Sequence, residues 1–418
     1  MLTIKYGIMK KLSLFVYSGL GIFTICFLFL CCKPIEKTRL STVEKNEQLI
    51  SDKLKWSERM ALSIMKRHVN AWQIDDHAKP KWDYKIGMIL TAYEKLYAQT
   101  NDPKYFAYIK DYADTLIDST GSFQNFNPKD YNIDFINAGK ILFGLYDKTK
   151  EEKYLKALQT LRNQFVDYPR TTSGGFWHKS IYPNQMWLDG LYMGQPFYAR
   201  YTTAFENGEK LDDVAHQFEL LRHHAYDKST GLFFHAWDES KMMSWANKET
   251  GTAPHIWLRA LGWYGMALVD VLDYFPKEHP KQKELVAYLN ELANGVSKYQ
   301  DISGLWYQVP NLPNREGNYL EASGSSMLVY AIAKGVNKGY LPKAMNKVAL
   351  KGFDGLTSKL IKVDSNGEIH ITQVCGSAGL GGNPYRDGSF EYYMSEKIKV
   401  DNSHGLGAFL LAAIELDK

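Results

Sequence analysis

Apolar side chains recur every three or four positions through most of the chain after residue 55, the period of an amphipathic helix rather than a half-buried strand. The pattern predicts helices over 56–67, 84–99, 105–119, 134–148, 193–205, 211–223, 261–274, 284–296, 323–334 and 341–360. Only 368–374 reads as a strand or extended turn. No stretch rich in Pro, Gly or Ser divides this region, so 56–418 reads as a single all-α domain. The polar stretch 35–55 before it reads as a linker.

The loops between the predicted helices repeat. GGFWH at 174–178, TGLFFH at 230–235 and SGLWY at 303–307 share a Gly followed by a large apolar run, with a fainter copy in GSF at 121–123. The copies lie roughly 50 to 70 residues apart, which leaves room for one helical hairpin between them. About twelve helices in such an array predict a closed (α/α)6 barrel, a toroid of six hairpins, rather than an open solenoid. A toroid collects its loop insertions on one face, where an aromatic loop at each turn suits a central pocket.

The N-terminus adds an expectation about location. Lys10 and Lys11 precede a stretch, 12–32, without a charged side chain, and Cys31 and Cys32 end it. A basic start, an apolar run and a boundary Cys predict a signal or lipoprotein segment over 1–34, lipidated at Cys31 or Cys32. Simple secretion and an uncleaved membrane anchor are the alternatives. Each predicts an exported protein of the periplasm or cell envelope that meets a membrane only through its N-terminal lipid or anchor. In the body Cys375 is the sole cysteine, which excludes an internal disulfide there and reads as a packed small residue rather than a nucleophile.

Composition narrows the classes further. A net charge of +4 over 418 residues, with Lys and Arg scattered, gives no support to a nucleic-acid partner. Ten Trp and twenty-eight Tyr suit helix packing and a sugar-binding cleft alike. No HExxH or paired-Cys spacing points to a metal, and no phosphate cradle, dinucleotide fingerprint or G-x-S-x-G elbow is present.

The densest candidate chemistry lies in 174–200, which gathers His178, Trp187 and Asp189. Asp189 reads either as a helix N-cap or as an acid whose burial among aromatic side chains keeps it protonated near neutrality. Asp134 stands at a second loop–helix junction. Two such carboxylates on successive hairpins can face one pocket, as acid–base chemistry on sugars requires, or can be two caps. A third cluster holds His235, Trp257, Arg259 and Trp263. There an Arg among indoles could bind a substrate carboxylate or satisfy loop carbonyls.

Six ordered blocks turn this pattern into a resemblance. WDYKIGMIL (82–90), NIDFINAGK (132–140), GGFWHKSIYPNQMWLDGLYM (174–193), GLFFHAWD (231–238), WLRALGWYGMALVDVL (257–272) and RDGSFEYYMSE (386–396) with HGLGAFLLAAIE (404–415) resemble glycoside hydrolase family 105. These are the unsaturated rhamnogalacturonyl hydrolases. The resemblance implies an (α/α)6 barrel that needs no metal or organic cofactor. Its implied reaction hydrates the 4,5-unsaturated uronic acid that a polysaccharide lyase leaves at the non-reducing end of an oligosaccharide. It further implies Asp189 as general acid/base, Asp134 as its catalytic partner, and His178, Trp187, His235, Trp257, Arg259 and Trp263 as substrate-binding positions. Unsaturated glucuronyl hydrolases acting on ulvan or glycosaminoglycan fragments share these features and remain an alternative. A non-catalytic surface carbohydrate-binding protein is the alternative of another class. The parent polysaccharide and the oligomeric state stay open.

Overall fold

Short turns and long loops lie at opposite ends of the helices, and this division creates the site. The computed structural model describes residues 49–417. The predicted signal segment 1–34, with Cys31 and Cys32, and the linker up to residue 48 lie outside them. Fourteen helices follow among the described residues: α1 (Trp56–Arg67), α2 (Tyr84–Thr100), α3 (Pro103–Leu116), α4 (Asp134–Asn137), α5 (Lys140–Thr149), α6 (Glu152–Asn163), α7 (Leu188–Phe205), α8 (Leu211–Ala225), α9 (Leu258–Val271), α10 (Pro280–Ser297), α11 (Ala322–Asn337), α12 (Asn346–Gly355), α13 (Phe390–Ser395) and α14 (Ser403–Leu416).

Two helix types build the toroid. The inner ring is α2, α4 with α5, α7, α9, α11 and α14, each packed on the next, and α14 closes back on α2. Every residue of α9 is buried, as expected for a helix with neighbours all round. The outer helices α1, α3, α6, α8, α10 and α12 keep an apolar stripe. In α6 it is Tyr154, Ala157, Leu158 and Leu161, the three-and-four spacing of a single face.

Inner-to-outer connections are tight. Two residues, 101–102, join α2 to α3, and two more, 150–151, join α5 to α6. Both turns use a left-handed residue to end the helix, Asn101 at φ +55° and Lys150 at φ +58°, a common helix stop. Outer-to-inner connections are long, so their residues gather at the N-terminal ends of the inner helices. The repeated glycines lie in these loops: Gly121, Gly174, Gly231 and Gly304 all have φ between +77° and +95°, a region that excludes most side chains. At Gly304 a Cβ would also run into the Lys351 carbonyl. The large residues that follow, Phe176, Phe233 and Trp306, are buried core. They pack between the helices and do not line a central pocket as the repeat suggested.

Several elements differ from expectation. The series 193–205 and 261–274 begins earlier, at Leu188 and Leu258, so Asp189 is in the first turn of α7 and Trp187 occupies the cap position. The span 341–360 divides into a 3-10 turn, α12 and a π-helical turn. The predicted strand exists as Ile369–Ile371 paired antiparallel with Ile361–Val363. Ile50 is buried and donates its N–H to Asn366 O at 3.0 Å, which places the last residues before α1 against the domain.

Candidate active site

The loop ends of α2, α4 and α7 meet at a cavity of about 280 Å³ lined by Tyr84, Asp134, His178, Lys179, Tyr182, Trp187, Asp189 and Arg386, among others. A two-stranded ribbon sets the geometry. Gln185–Trp187 pairs antiparallel with Ala236–Asp238, Trp187 opposite Ala236. The chain then enters α7, so Asp189 and His235 face each other, with Asp189 Oδ2 3.2 Å from His235 Nε2. The pair is close but poorly aligned for a hydrogen bond, and neither atom has another acceptor or donor among the described residues. Such bonds often tighten only with ligand present.

Trp187 is the wall beside the acid. His178 stacks on it at 4.4 Å with 8° between planes, and Tyr182 at 5.1 Å with 14°. The three rings form one stacked aromatic wall. Burial pushes the His178 imidazole down to about 4, so it is neutral at physiological pH. Asp134 has a different setting: Lys179 Nζ lies 2.7 Å from its Oδ2 and His178 Nε2 3.5 Å from its Oδ1. Burial alone would lower the Lys179 ammonium, and the Asp134 charge and hydrogen bond hold it above the usual lysine range.

Asp189 departs from the expectation of a neutral acid. Burial raises its carboxyl, but the charge and contact of His235, then His178 and Arg259, together outweigh burial and hold it below the ordinary Asp value. Apolar walls alone suggested the opposite, because His235 and Arg259 come from distant sequence. The free protein therefore carries Asp189 as an anion.

The eight candidate residues divide in two. Asp134, His178, Trp187 and Asp189 line the cavity. His235, Trp257, Arg259 and Trp263 stand behind its wall, all 0–1% exposed. Arg259 does not present its fork to the cavity: it donates to Ser323 Oγ at 3.2 Å, to Cys375 O at 2.8 Å and to Gly376 O. The loop 375–376 folds over Arg259 and takes these donors, one of the two arrangements its sequence position left open. Trp257 stacks on Tyr393 at 5.8 Å, and Trp263 on Tyr192 at 4.9 Å, which makes both packing supports. Cys375 is fully buried, and burial raises its thiol to about 11, consistent with an inert packed residue.

Sequence reasoning passed over Tyr84, Lys179, Tyr182 and Arg386, which line the cavity, and Tyr393, which meets His235 from behind. Arg386 belongs to a loop near the C-terminus and arrives by tertiary folding alone. It donates to Tyr182 Oη at 2.9 Å and to the Leu380 and Gly381 carbonyls. Tyr84, Lys179 and Tyr182 adjoin the conspicuous Trp and Asp positions and were overshadowed by them.

An all-helical toroid with two carboxylates on an aromatic wall defines a carbohydrate-active enzyme. The model of Glycosyl Hydrolase Family 88 matches residues 56–418, and the chain belongs to this family. It is similar to the solved glycoside hydrolase from family 105 of C. acetobutylicum ATCC 824, at 45% identity and a TM-score of 0.84, over 87% of this chain and 99% of that one. It is also similar to the unsaturated rhamnogalacturonyl hydrolase YesR of Bacillus subtilis, 24% identical over 60% of this chain and 70% of that one. A third relative is the unsaturated 3S-rhamnoglycuronyl hydrolase of Alteromonas sp., 25% identical over 55% of this chain and 50% of that one.

Proposed function

We propose that this glycoside hydrolase removes a 4,5-unsaturated uronic acid from the non-reducing end of lyase-generated oligosaccharides, with rhamnogalacturonan fragments as the substrate class. The observation that carries the reading is Asp189, placed against the Trp187 wall with His235 behind it. A uronate carboxylate entering the cavity brings negative charge and displaces water. Both raise the Asp189 carboxyl, so it takes up a proton as the ligand binds.

The chemistry follows. Asp189 delivers its proton to C4 of the vinyl ether, and positive charge develops at C5 and the ring oxygen. The resulting Asp189 carboxylate stabilises that charge and takes a proton from the water that attacks C5. One water is added across the double bond, and the acid regains its proton. The C5 hemiketal then opens, and the hemiacetal left at C1 expels the remaining saccharide. Asp134, held by Lys179, orients ring hydroxyls or the water. Arg386 and Lys179 bring positive charge to the cavity lining, which suits it to a substrate carboxylate.

The test follows loss of the ultraviolet absorbance of the C4–C5 double bond with unsaturated disaccharides from rhamnogalacturonan, glucuronyl and ulvan-type chains. Decay with the wild type and not with Asp189→Asn supports the reading, and the preferred disaccharide names the neighbouring sugar. Equal decay in both proteins removes Asp189 from the centre. Absence of decay on all three turns the reading toward carbohydrate binding. The N-terminal segment supports export with a lipid on Cys31 or Cys32, tested by labelling with a palmitate analogue in Cys31→Ser and Cys32→Ser.

A further inference from the structure

A second cavity, of about 330 Å³, lies among the inner helices below the active site, its Pro196 one turn of α7 beyond Met193 of the first cavity. In α2, Lys95 of this cavity is eleven residues beyond Tyr84 of the active site, or roughly 16 Å along a helix. Its acidic groups are all matched. Asp270 accepts from Lys334 Nζ and Tyr330 Oη, both at 2.6 Å. Asp273 meets Lys334 at 2.6 Å and Lys338 at 2.9 Å, and Glu94 meets Arg200 at 3.3 Å.

Two lysines are left over. Lys140 is only 4% exposed, and its buried Nζ has no hydrogen-bond acceptor among the described residues, resting 3.7 Å over the Tyr192 ring. Lys95 lies 6.0 Å from the Tyr330 ring centroid and forms no ion pair among the described residues. An ammonium buried without an acceptor must lose its proton or gain a counter-ion. Neutralising helix C-termini explains lysines at this end in general. It does not explain Lys140, which begins α5 rather than ending it.

We infer that this cavity binds a small oxyanion, of the size of sulfate, phosphate or a short carboxylate, between the ammonium groups of Lys95 and Lys140. The anion supplies the acceptors that both lysines lack. Burial brings Lys140 down to about 7, with Asp270 and Glu94 opposing the fall and Lys95 and Lys334 adding to it; Tyr192 faces it from α7, where Arg200 donates to the Lys140 backbone carbonyl. An oxyanion holds Lys140 in its charged form, so binding is tighter on the acid side of neutrality.

The experiment is calorimetric titration of the full chain with sodium sulfate at pH 6 and pH 8, at ionic strength held constant with sodium chloride. Sulfate does not change charge in this window, so the pH effect reports the protein. The expected result is one saturable site per chain, about tenfold weaker at pH 8, and lost in both Lys140→Met and Lys95→Met. Selenate-soaked crystals should show an anomalous peak between the two Nζ atoms. If Lys140→Met fails to fold, Lys95→Met decides. Absence of saturable heat, or wild-type binding in the folded variants, overturns the proposal and leaves the lysines as partners of helix termini. Acetate in place of sulfate separates a carboxylate site from a tetrahedral one.

Discussion

Tyr393 Oη lies 2.8 Å from His235 Nδ1, on the opposite side of the imidazole from Asp189. Burial pushes the Tyr393 hydroxyl well above its ordinary value, so it keeps its proton and can donate it to Nδ1. The ring then carries its own N–H at Nε2, toward Asp189. The tautomer follows from this hydrogen-bond logic, and it ties the acidity of Asp189 to a residue far along the chain.

Replacing His235 should therefore move a pH profile. His235 makes the largest contribution lowering the Asp189 carboxyl, so His235→Gln raises it. The acid form then persists to higher pH, and the limb on which kcat/KM falls with proton loss shifts upward. Tyr393→Phe should cost about tenfold in kcat by releasing the tautomer. An unmoved profile in both variants would falsify the coupling.

Asp189→Asn should lower kcat by about 10²- to 10⁴-fold, the usual contribution of a positioned acid or base. Thermal unfolding should change little, because its Oδ2 has no well-aligned hydrogen bond to lose. Kinetics and melting on one preparation check both halves.

The two arginines should separate cleanly. Arg259→Met leaves the Cys375 and Gly376 carbonyls without their donors, at about 1–3 kcal/mol for each buried orphan, and should lower Tm. Arg386→Met should raise KM with a smaller change in Tm. A stable Arg259→Met with raised KM would instead return Arg259 to the substrate.

Acid should weaken the far end of the barrel. Against burial, Lys334, Lys95 and Lys140 hold the Asp270 carboxyl at about 2. A depressed carboxyl contributes stability above its unfolded value near 4 that is lost as pH falls toward about 2. Lys334→Met, which leaves Asp270 only the Tyr330 hydroxyl as a hydrogen-bond donor, should cost about 3–5 kcal/mol by denaturant unfolding and flatten that acid dependence.

The fold was legible in part, and α6 (Glu152–Asn163) was missed despite its one-sided stripe. Segment 56–67 coincides with α1, and the start of 211–223 with α8. Helix α14 was not in the predicted series; Ala, Leu, Phe and Gly bury all round it, as in α9, whose segment was read as a helix. The starts of α7 and α9 were missed because Trp187 and Trp257 cap them without a side-chain hydrogen bond, so no capping residue marks them. Asp134, His178, Trp187 and Asp189 were legible as polar and aromatic groups beside a loop–helix junction.

The sequence alone determined the helical hairpins, the turn glycines and the acids at the junctions, since each follows from local periodicity or backbone sterics. Tertiary structure decided which groups face the cavity. Arg259 is taken by carbonyls more than a hundred residues away, Arg386 replaces it at the cavity wall, and Tyr393 reaches His235 across 158 residues. Charge state was decided there too. The carboxyl of Asp189 responds to burial and charges over a few ångströms, and the ribbon together with the packing of α7 on α9 brings His235 and Arg259 within that range.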